Sequence, residues 1–255
     1  MNRFGRFQGP FATLQSDETE AAWSPADAFA LAPGGIIESL DPDVHRTGGT
    51  LSATGEIVDA WNTKGPAGQL MLTSSGTCRR RVVNGVPYLE FPATSAADVF
   101  RAPNPVDIMG TEIWMLAHLA SGSASKSGLV GADTTFGDRA WGVQSNGDFD
   151  AVGTSGNFLR QNPGALPLDT WFLFRLRSEP SQSTLWVNGT LVDQDANTFT
   201  AFMIQIIGGM RESANTFPWT GGIHSIQTVL GTSSVELETN LNDFYGPVRD
   251  QMNGV

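Results

Sequence analysis

The chain has one cysteine, Cys78, among its 255 residues. A single cysteine excludes an intrachain disulfide, so the fold does not depend on an oxidising compartment. Three arginines follow it, Arg79–Arg81, and neighbouring positive charge can make a thiol more reactive. A lone cysteine more often fills a small apolar space in the core, and we favour that interpretation.

Long apolar segments are also missing. No run approaches the roughly 20 residues that a transmembrane helix needs, and residues 1–11, MNRFGRFQGPF, lack the apolar segment of a secretory signal peptide. We therefore expect synthesis in a cytoplasm without membrane insertion. Work outside the cell would need release by a route other than classical secretion.

Basic residues are few, with 15 Lys and Arg against 26 Asp and Glu and a net charge of −11. Nucleic-acid binding needs a surplus of positive charge, so we expect no nucleic-acid partner. The one basic cluster, Arg79–Arg81, is too short to reverse this balance. It is typical of a strand whose arginines pair with nearby acids.

Motifs for catalysis and metal binding are missing as well. The chain has no nucleophile elbow, phosphate loop or dinucleotide fingerprint. Its three histidines, His45, His118 and His224, are far apart and have no zinc-ligand spacing. The residues therefore predict no catalytic group and no cofactor.

The sequence does contain strong signals for antiparallel β-structure. Asn-Gly, the dipeptide that suits a two-residue type I′ hairpin turn, occurs at 84–85, 146–147 and 188–189. In Trp171–Arg177, apolar side chains alternate with a second face that becomes charged, which is typical of a sheet packed on one side. Thr111–Ala120 is apolar on both faces and predicts a central strand covered on both sides.

A terminal helix is predicted after Gly231. Ser233 can cap it, with Glu236 at the capping-box spacing, and acids at 236 and 238 suit the first turn. Apolar residues then repeat at helical intervals from Leu237 to Tyr245. We expect Pro247 to end or kink the helix.

Residues 1–34 differ from the rest in composition. Three phenylalanines lie among two arginines, in a spacing that fits neither helix nor strand. Either the segment is a frayed tail, or it is an arm that orders on a partner through its aromatic and basic side chains. We favour the arm, and the expected docking residues are Arg3, Phe4, Arg6, Phe7 and Phe11.

Three segments, in this order, resemble the concanavalin A-like lectin/glucanase superfamily, in particular its laminin-G-like branch of bacterial and phage proteins. They are IVDAWN at 57–62, NGVPYLEF at 84–91 and the hairpin at 171–189, followed by the terminal helix. The resemblance covers about residues 35–250. It implies an all-β, two-sheet antiparallel jelly-roll sandwich for residues 35–255.

The resemblance also implies which catalytic, glycan-binding and calcium sites the chain could have. Glucanases of this superfamily need a carboxylate pair about 5 Å apart, and the chain has no such cluster. Lectins of this kind stack a sugar ring on an aromatic side chain and fix its hydroxyls with Asp and Asn. The best candidates for glycan binding are Trp141, Asn146, Asp148 and Trp219. Laminin-G-like domains sometimes bind Ca²⁺, for which oxygen ligands are available at Asp133, Asp138, Asp148 and Asp150, although their spacing marks no site.

Together these features predict a non-enzymatic virion accessory or tail-associated protein of a bacteriophage or phage-like particle. Its arm would dock on other virion proteins, and several displayed copies of the sandwich would bind host-surface carbohydrate. Two alternatives stay open: a glycan hydrolase or lyase of the same fold, and a purely structural capsid decoration or cement protein.

Overall fold

A computed structural model of the chain describes residue 24 and the ranges 39–40, 45–62, 71–73, 76–92, 98–107, 109–121, 126–131, 140–144, 149–152, 158–160, 166–196, 203–209 and 219–255. The expected arm, residues 1–34, lies outside these ranges apart from Ser24. The Asn-Gly pair at 146–147 also lies outside them.

Antiparallel strands make up most of the described chain, which confirms the predicted fold class. In chain order they are β1 (Ser39–Leu40), β2 (His45–Thr47), β3 (Thr50–Leu51), β4 (Ala60–Asn62), β5 (Met71–Thr73), β6 (Arg79–Val83), β7 (Val86–Phe91), β8 (Phe100–Asp107), β9 (Thr111–Leu119), β10 (Lys126–Gly131), β11 (Ala140–Gln144), β12 (Phe149–Val152), β13 (Phe158–Arg160), β14 (Trp171–Glu179), β15 (Gln182–Val187), β16 (Thr190–Ala196), β17 (Met203–Ile207) and β18 (Gly221–Leu230). One helix, α1 (Val235–Asn253), follows the last strand.

The strands form two sheets. Sheet A has the order β16-β15-β14-β9-β18-β7-β6, and β1 also pairs with β18. Sheet B has the order β13-β12-β11-β10-β17-β8-β5-β4-β2-β3. The order in sheet A matters for function because it places three distant segments, β7, β9 and β18, side by side.

Two hairpins of sheet A turn at the predicted Asn-Gly pairs. Asn84 and Gly85 have φ angles of 47° and 82°, and Asn188 and Gly189 have 50° and 77°. Both central residues of a type I′ turn need positive φ, which Asn and Gly adopt at low cost. The turns therefore confirm the two predictions and fix the registers of β6 with β7 and of β14 with β15.

The sandwich core lies between the inner faces of the two sheets. Strand β14 contributes Phe172, Phe174 and Leu176, as its alternation predicts, and Cys78 is a fully buried member of the same cluster. The interpretation of Cys78 as an apolar core residue is confirmed.

The outer face of sheet A is covered by helix α1. Trp114, Leu116 and Leu173 pack beneath Leu237 and Leu241 of the helix. Strand β9 is therefore covered on both sides, as predicted. Strand β14 is covered on both sides as well, which corrects the prediction of packing on one side, because the helix also buries Trp171 and Leu173. Each fully buried leucine contributes on the order of 1.5–3 kcal/mol, so this layer, more than intrinsic propensity, holds the helix in place.

The first turn of α1 differs from the prediction by one residue. The N-cap is Ser234, whose hydroxyl accepts a hydrogen bond from the backbone N–H of Leu237 at 3.1 Å. Ser233 does not cap the helix, because its hydroxyl donates to the buried carboxylate of Glu112. The acids of the first turn, Glu236 and Glu238, are placed as predicted.

Pro247 does not end the helix, because α1 continues through it to Asn253, and a kink at Pro247 stays a prediction. Proline removes one helical hydrogen bond, but the last turn is held by other contacts. Met252 is buried in the layer beneath the helix. The Gln251 side chain donates to the Asn84 carbonyl at 2.8 Å, and Asn84 donates to the Met252 carbonyl at 3.3 Å.

A buried ion network lies under the start of the helix. Glu112 is fully buried, and its Oε1 accepts from Nη2 of Arg175 at 3.1 Å and from Nη2 of Arg177 at 2.7 Å. Arg175 also reaches Glu238 of the helix at 2.7 Å. Its guanidinium lies 4.9 Å from the Trp114 ring centroid and 4.1 Å from that of Trp186, which is cation–π distance.

Within the described ranges, no helix is long and apolar enough to cross a membrane.

Candidate functional site

A row of paired residues crosses the outer face of sheet A beyond the end of helix α1. Trp171 of β14 pairs with His118 of β9, His118 with Gly222 of β18, and Gly222 with Glu90 of β7. Neighbouring strands lie about 4.8 Å apart, so the backbones of His118 and Glu90 are roughly 10 Å apart. Gly222 has no side chain, and the rings of Trp171 and Tyr88 pack into the space above it.

A cleft of about 210 Å³ lies beside this row, and we call it the Gly222 cleft. Its lining comes from three segments that are far apart in sequence. The lining residues are Tyr88, Glu90, Phe91, Pro92, His118, Ala120, Thr220, Gly221 and Gly222.

Glycine is required on the floor of the cleft. A Cβ at 222 would lie 2.6 Å from Cη2 of Trp171 and 2.8 Å from Cδ2 of Tyr88. A Cβ at 221 would lie 2.0 Å from the His118 carbonyl oxygen, and φ there is 148°. Any larger residue at either position would displace the rings or the strand, so the walls of the cleft depend on the two glycines that begin β18.

Aromatic rings form one side of the cleft. The Tyr88 and Trp171 rings meet edge to face, with centroids 5.0 Å apart, and the His118 ring lies 5.3 Å from that of Trp171. Trp171 is buried, whereas Tyr88 and His118 are partly exposed. Asn253, at the end of α1, accepts from the Trp171 backbone N–H at 2.7 Å and donates to its carbonyl at 3.0 Å. The helix end therefore positions the ring behind the cleft.

Several polar groups of the cleft are available to a ligand. Oε2 of Glu90 accepts from Nε of Arg81 at 2.8 Å, which confirms that the basic cluster pairs with a cross-strand acid. Within the described ranges, Oε1 of Glu90 and the hydroxyl groups of Tyr88 and Thr220 have no hydrogen-bond partner. Groups of this kind are the ones that fix the orientation of a bound polar molecule.

The local environment favours the uncharged forms of two lining residues. Burial raises the pKa of the Tyr88 phenol, and the Glu90 carboxylate adds to the effect. Burial lowers the pKa of the His118 imidazole below its ordinary value of 6.5, although Asp169 opposes this. At neutral pH His118 is therefore a neutral ring, whose N–H is taken by a hydrogen bond to the Asp169 backbone and whose other nitrogen is an acceptor.

The other two histidines lie in the core. His45 of β2 is fully buried, and its ring centroid is 5.2 Å from that of Trp61. Burial, with the charge of Arg80 second, lowers its pKa to about 3. The His224 ring contacts the Pro87 carbonyl at 2.7 Å.

The glycan-binding residues predicted from the sequence do not come together in this cleft. Trp219 is fully buried in the sandwich core, where its ring is not available to a sugar. Trp141 lies in β11 of sheet B, and Asn146 and Asp148 lie outside the described residues. Sequence reasoning missed Tyr88, Glu90 and His118, because only the sheet order brings them together. The one local signal was the glycine pair at the start of a strand.

No group of three or more His, Cys, Asp or Glu in the described part of the chain could hold a metal ion. Of the acids considered for calcium, Asp150 lies in β12, and Asp133, Asp138 and Asp148 lie outside the described residues. A calcium site stays a prediction.

Solved proteins share this fold. They include the Trypanosoma rangeli sialidase in complex with sialic acid (TM-score 0.57, 14% identity, 83% of this chain and 33% of that one). They also include the binding domain of botulinum neurotoxin DC in complex with SialylT (0.56, 10%, 84% and 51%) and that of botulinum neurotoxin serotype D (0.54, 10%, 87% and 53%). The chain thus spans between a third and about half of these proteins.

At such low identity these likenesses show the fold alone. No protein-family model matches the chain, and no curated protein matches it by sequence. The all-β sandwich is thus established, and the laminin-G-like assignment stays a prediction.

Proposed function

We propose that this chain is a carbohydrate-binding protein without catalytic activity, and that the Gly222 cleft is its binding site. The observation that carries the proposal is the convergence of Tyr88, Glu90 and His118, from two strands, around a floor of glycine from a third. Each of the three has polar capacity for a ligand, and two of them present ring surface.

The chemistry of the lining suits a sugar. A carboxylate oxygen accepts hydrogen bonds from hydroxyl groups, and such charge-assisted bonds are about twice as strong as neutral ones. The Tyr88 hydroxyl can donate to a sugar hydroxyl, and the acceptor nitrogen of the neutral His118 imidazole can accept from another. Aromatic rings cover the apolar C–H face of the sugar. This combination of acceptor, donor and ring is what a polyhydroxylated ring needs.

The size of the cleft limits the ligand. At about 210 Å³ it is smaller than the roughly 300–1,000 Å³ of pockets for drug-sized molecules. It suits one sugar unit, such as the end of a glycan chain. Binding of one unit would be weak, and several copies displayed together would raise the avidity.

The fold is consistent with this proposal. Two of the solved proteins that share it were determined with sialic acid and with SialylT bound. The likeness supports a sandwich that can carry a glycan site, and the position of the site here rests on the residues of the cleft.

The cleft also favours binding over hydrolysis. Glycoside hydrolysis uses two carboxyl groups, about 5–5.5 Å apart in retaining enzymes and about 6.5–9.5 Å apart in inverting ones. Glu90 is the one carboxylate among the lining residues. A single carboxylate paired with Arg81 does not provide the acid and the nucleophile or base of that reaction.

A glycine variant tests the site directly. Gly222→Ala places a methyl group within 2.6–2.8 Å of the Trp171 and Tyr88 rings, so we expect sugar affinity to fall at least tenfold. Gly246→Ala in α1 is the matched control, since its Cβ meets nothing within 4 Å. Binding would be measured on a glycan array and by titration of the best sugar. Equal affinity in both variants would place the site elsewhere, and release of reducing sugar would refute the non-enzymatic role.

We further propose the finer role suggested by the sequence, a virion accessory or tail-associated protein. Its support is the composition of residues 1–34, with Phe4, Phe7 and Phe11 among Arg3 and Arg6. These side chains would dock on other virion proteins, and the sandwich would face host-surface carbohydrate. The test is deletion of residues 1–12 in the producing particle. Undiminished incorporation of the truncated chain would contradict docking by the arm.

A further inference from the structure

We infer that the Gly222 cleft selects uncharged sugars over sugars that carry a carboxylate, and that Glu90, which also holds Arg81 in an ion pair, sets this preference. The inference rests on the proposed function and names the ligand class of the same site. Uncharged sugars here means hexoses and N-acetylhexosamines, and the excluded class is represented by N-acetylneuraminic acid.

The first step is the charge of the lining. Among the lining residues, Glu90 is the one with a charged side chain. Burial favours the neutral forms of the other two ionisable residues, Tyr88 and His118. Its Oε1 has no partner among the described residues. A ligand hydroxyl can donate to this oxygen, whereas a ligand carboxylate would meet a like charge.

The second step concerns the nearby arginines. Nε of Arg81 is 2.8 Å from Oε2 of Glu90, so its charge is already balanced by the carboxylate. Arg79 lies directly across from Glu90 in the sheet register, but its Nη1 donates to the Gly55 carbonyl at 2.8 Å. Neither arginine is a lining residue of the cleft. The described part of the site therefore has no cation directed at a ligand carboxylate.

The third step is the size of the effect. Arg81 partly offsets the charge of Glu90, so the repulsion between Glu90 and a ligand carboxylate weakens binding by about a few-fold. Loss of the hydroxyl bond to Glu90 adds to this. We expect the unmodified chain to bind at least one uncharged sugar at least tenfold more tightly than N-acetylneuraminic acid.

The charge preference can be reversed by one substitution. Glu90→Gln removes the negative charge, keeps a carbonyl acceptor and releases the Arg81 guanidinium beside the cleft. This variant should gain at least tenfold in affinity for N-acetylneuraminic acid, and the gain should shrink at high salt. Arg81→Gln is the matched control: it leaves Glu90 charged and should bind the acidic sugar no better than the unmodified chain.

The experiment titrates the full chain and both variants with methyl glycosides of galactose, N-acetylglucosamine and N-acetylneuraminic acid. Preference for an uncharged sugar, reversed or abolished in Glu90→Gln alone, supports the inference. Tighter binding of N-acetylneuraminic acid to the unmodified chain overturns the selectivity and leaves the proposed function standing. No binding of any of the three, together with an empty glycan array, overturns the proposed function itself.

Discussion

The two ends of the outer face of sheet A use the same strands in opposite ways. At the closed end, Glu112 of β9 and Arg175 of β14 are buried under the start of helix α1 and bond to each other. At the open end, His118 of β9 and Trp171 of β14 pair in the same register beyond the end of the helix. There the polar groups face a cleft.

The difference lies in where hydrogen bonds are satisfied. At the closed end Glu112 receives bonds from two arginines, from the Ser233 hydroxyl and from the Ser233 backbone, so no oxygen is left for a ligand. At the open end Glu90 is held by Arg81 through one oxygen. A fully satisfied network fixes structure, while a partly satisfied one at a surface cleft can accept a ligand. A carboxylate under the start of the helix, such as Glu112, therefore stabilises the fold, whereas a carboxylate beyond the end of the helix, such as Glu90, is left with an oxygen that can bind a ligand.

The largest expected effect is a difference in the free energy of unfolding between variants at the two ends. Glu112→Gln leaves the buried Arg175 and the half-buried Arg177 without their shared charge, which should cost about 3–5 kcal/mol. The matched variant, Glu90→Gln, breaks an ion pair whose side chains are 42% and 34% exposed, and should cost no more than about 1 kcal/mol. Urea unfolding of both variants measures the difference. Equal losses would mean that the ends do not differ as described.

Acid unfolding tests the contribution of Glu112 to stability at the closed end. Burial raises the pKa of Glu112, but hydrogen bonds from Arg175 and Ser233 and the charge of Arg175 outweigh it, so the net shift is downward. A depressed carboxyl pKa contributes stability above its unfolded value, near 4.5, and loses it as pH falls through the folded pKa. The unmodified chain should lose this contribution below about pH 4.5, and Glu112→Gln should not show that loss.

Sequence predicted the parts of this face that depend on neighbouring residues. The Asn84 and Asn188 turns depend on two adjacent residues with positive φ, and the alternation of β14 depends on strand geometry alone. The helix cap was displaced from Ser233 to Ser234 because Glu112, 121 positions away, takes the Ser233 hydroxyl. Local patterns do not encode such a contact.

The cleft could not be predicted for the same reason. Its residues come from β7, β9 and the start of β18, and they meet only because β18 lies between the other two strands. Trp219 is predicted to stack on a sugar because it is an aromatic residue, but its side chain is buried in the sandwich core. The glycine pair at 221–222 is visible in the sequence, but its effect on the cleft depends on the Tyr88 and Trp171 rings that pack over Gly222.

An intermediate effect is expected from Asn253, which links the helix to the open end. Asn253→Ala removes two hydrogen bonds to the Trp171 backbone and leaves a buried N–H unsatisfied, at a cost of about 2 kcal/mol. Because Trp171 backs the cleft, sugar affinity should also fall several-fold. Urea unfolding and sugar titration measure the two consequences.

Asn242→Ala is the control for that variant. Its side chain donates to the Glu238 carbonyl within the helix at 2.9 Å and does not reach the cleft. We expect a change within about 0.5 kcal/mol and unchanged sugar affinity. A similar loss of affinity in both variants would show that helix stability in general, and not the contact with Trp171, governs the site.

The smallest effect concerns pH at the open end. Burial lowers the pKa of His118 in the folded chain, so the unfolded state binds more protons in the window below pH 6.5. Stability from this residue is complete above pH 6.5 and falls as pH drops to the folded pKa, with a slope of at most about 1.4 kcal/mol per pH unit. His118→Gln should remove that slope near pH 6. The slope from His45, whose pKa is about 3, should continue to far lower pH in both proteins. Identical stability curves between pH 5 and 7 would show that His118 is solvated like a free imidazole, and the neutral acceptor nitrogen assigned to the cleft would be lost with it.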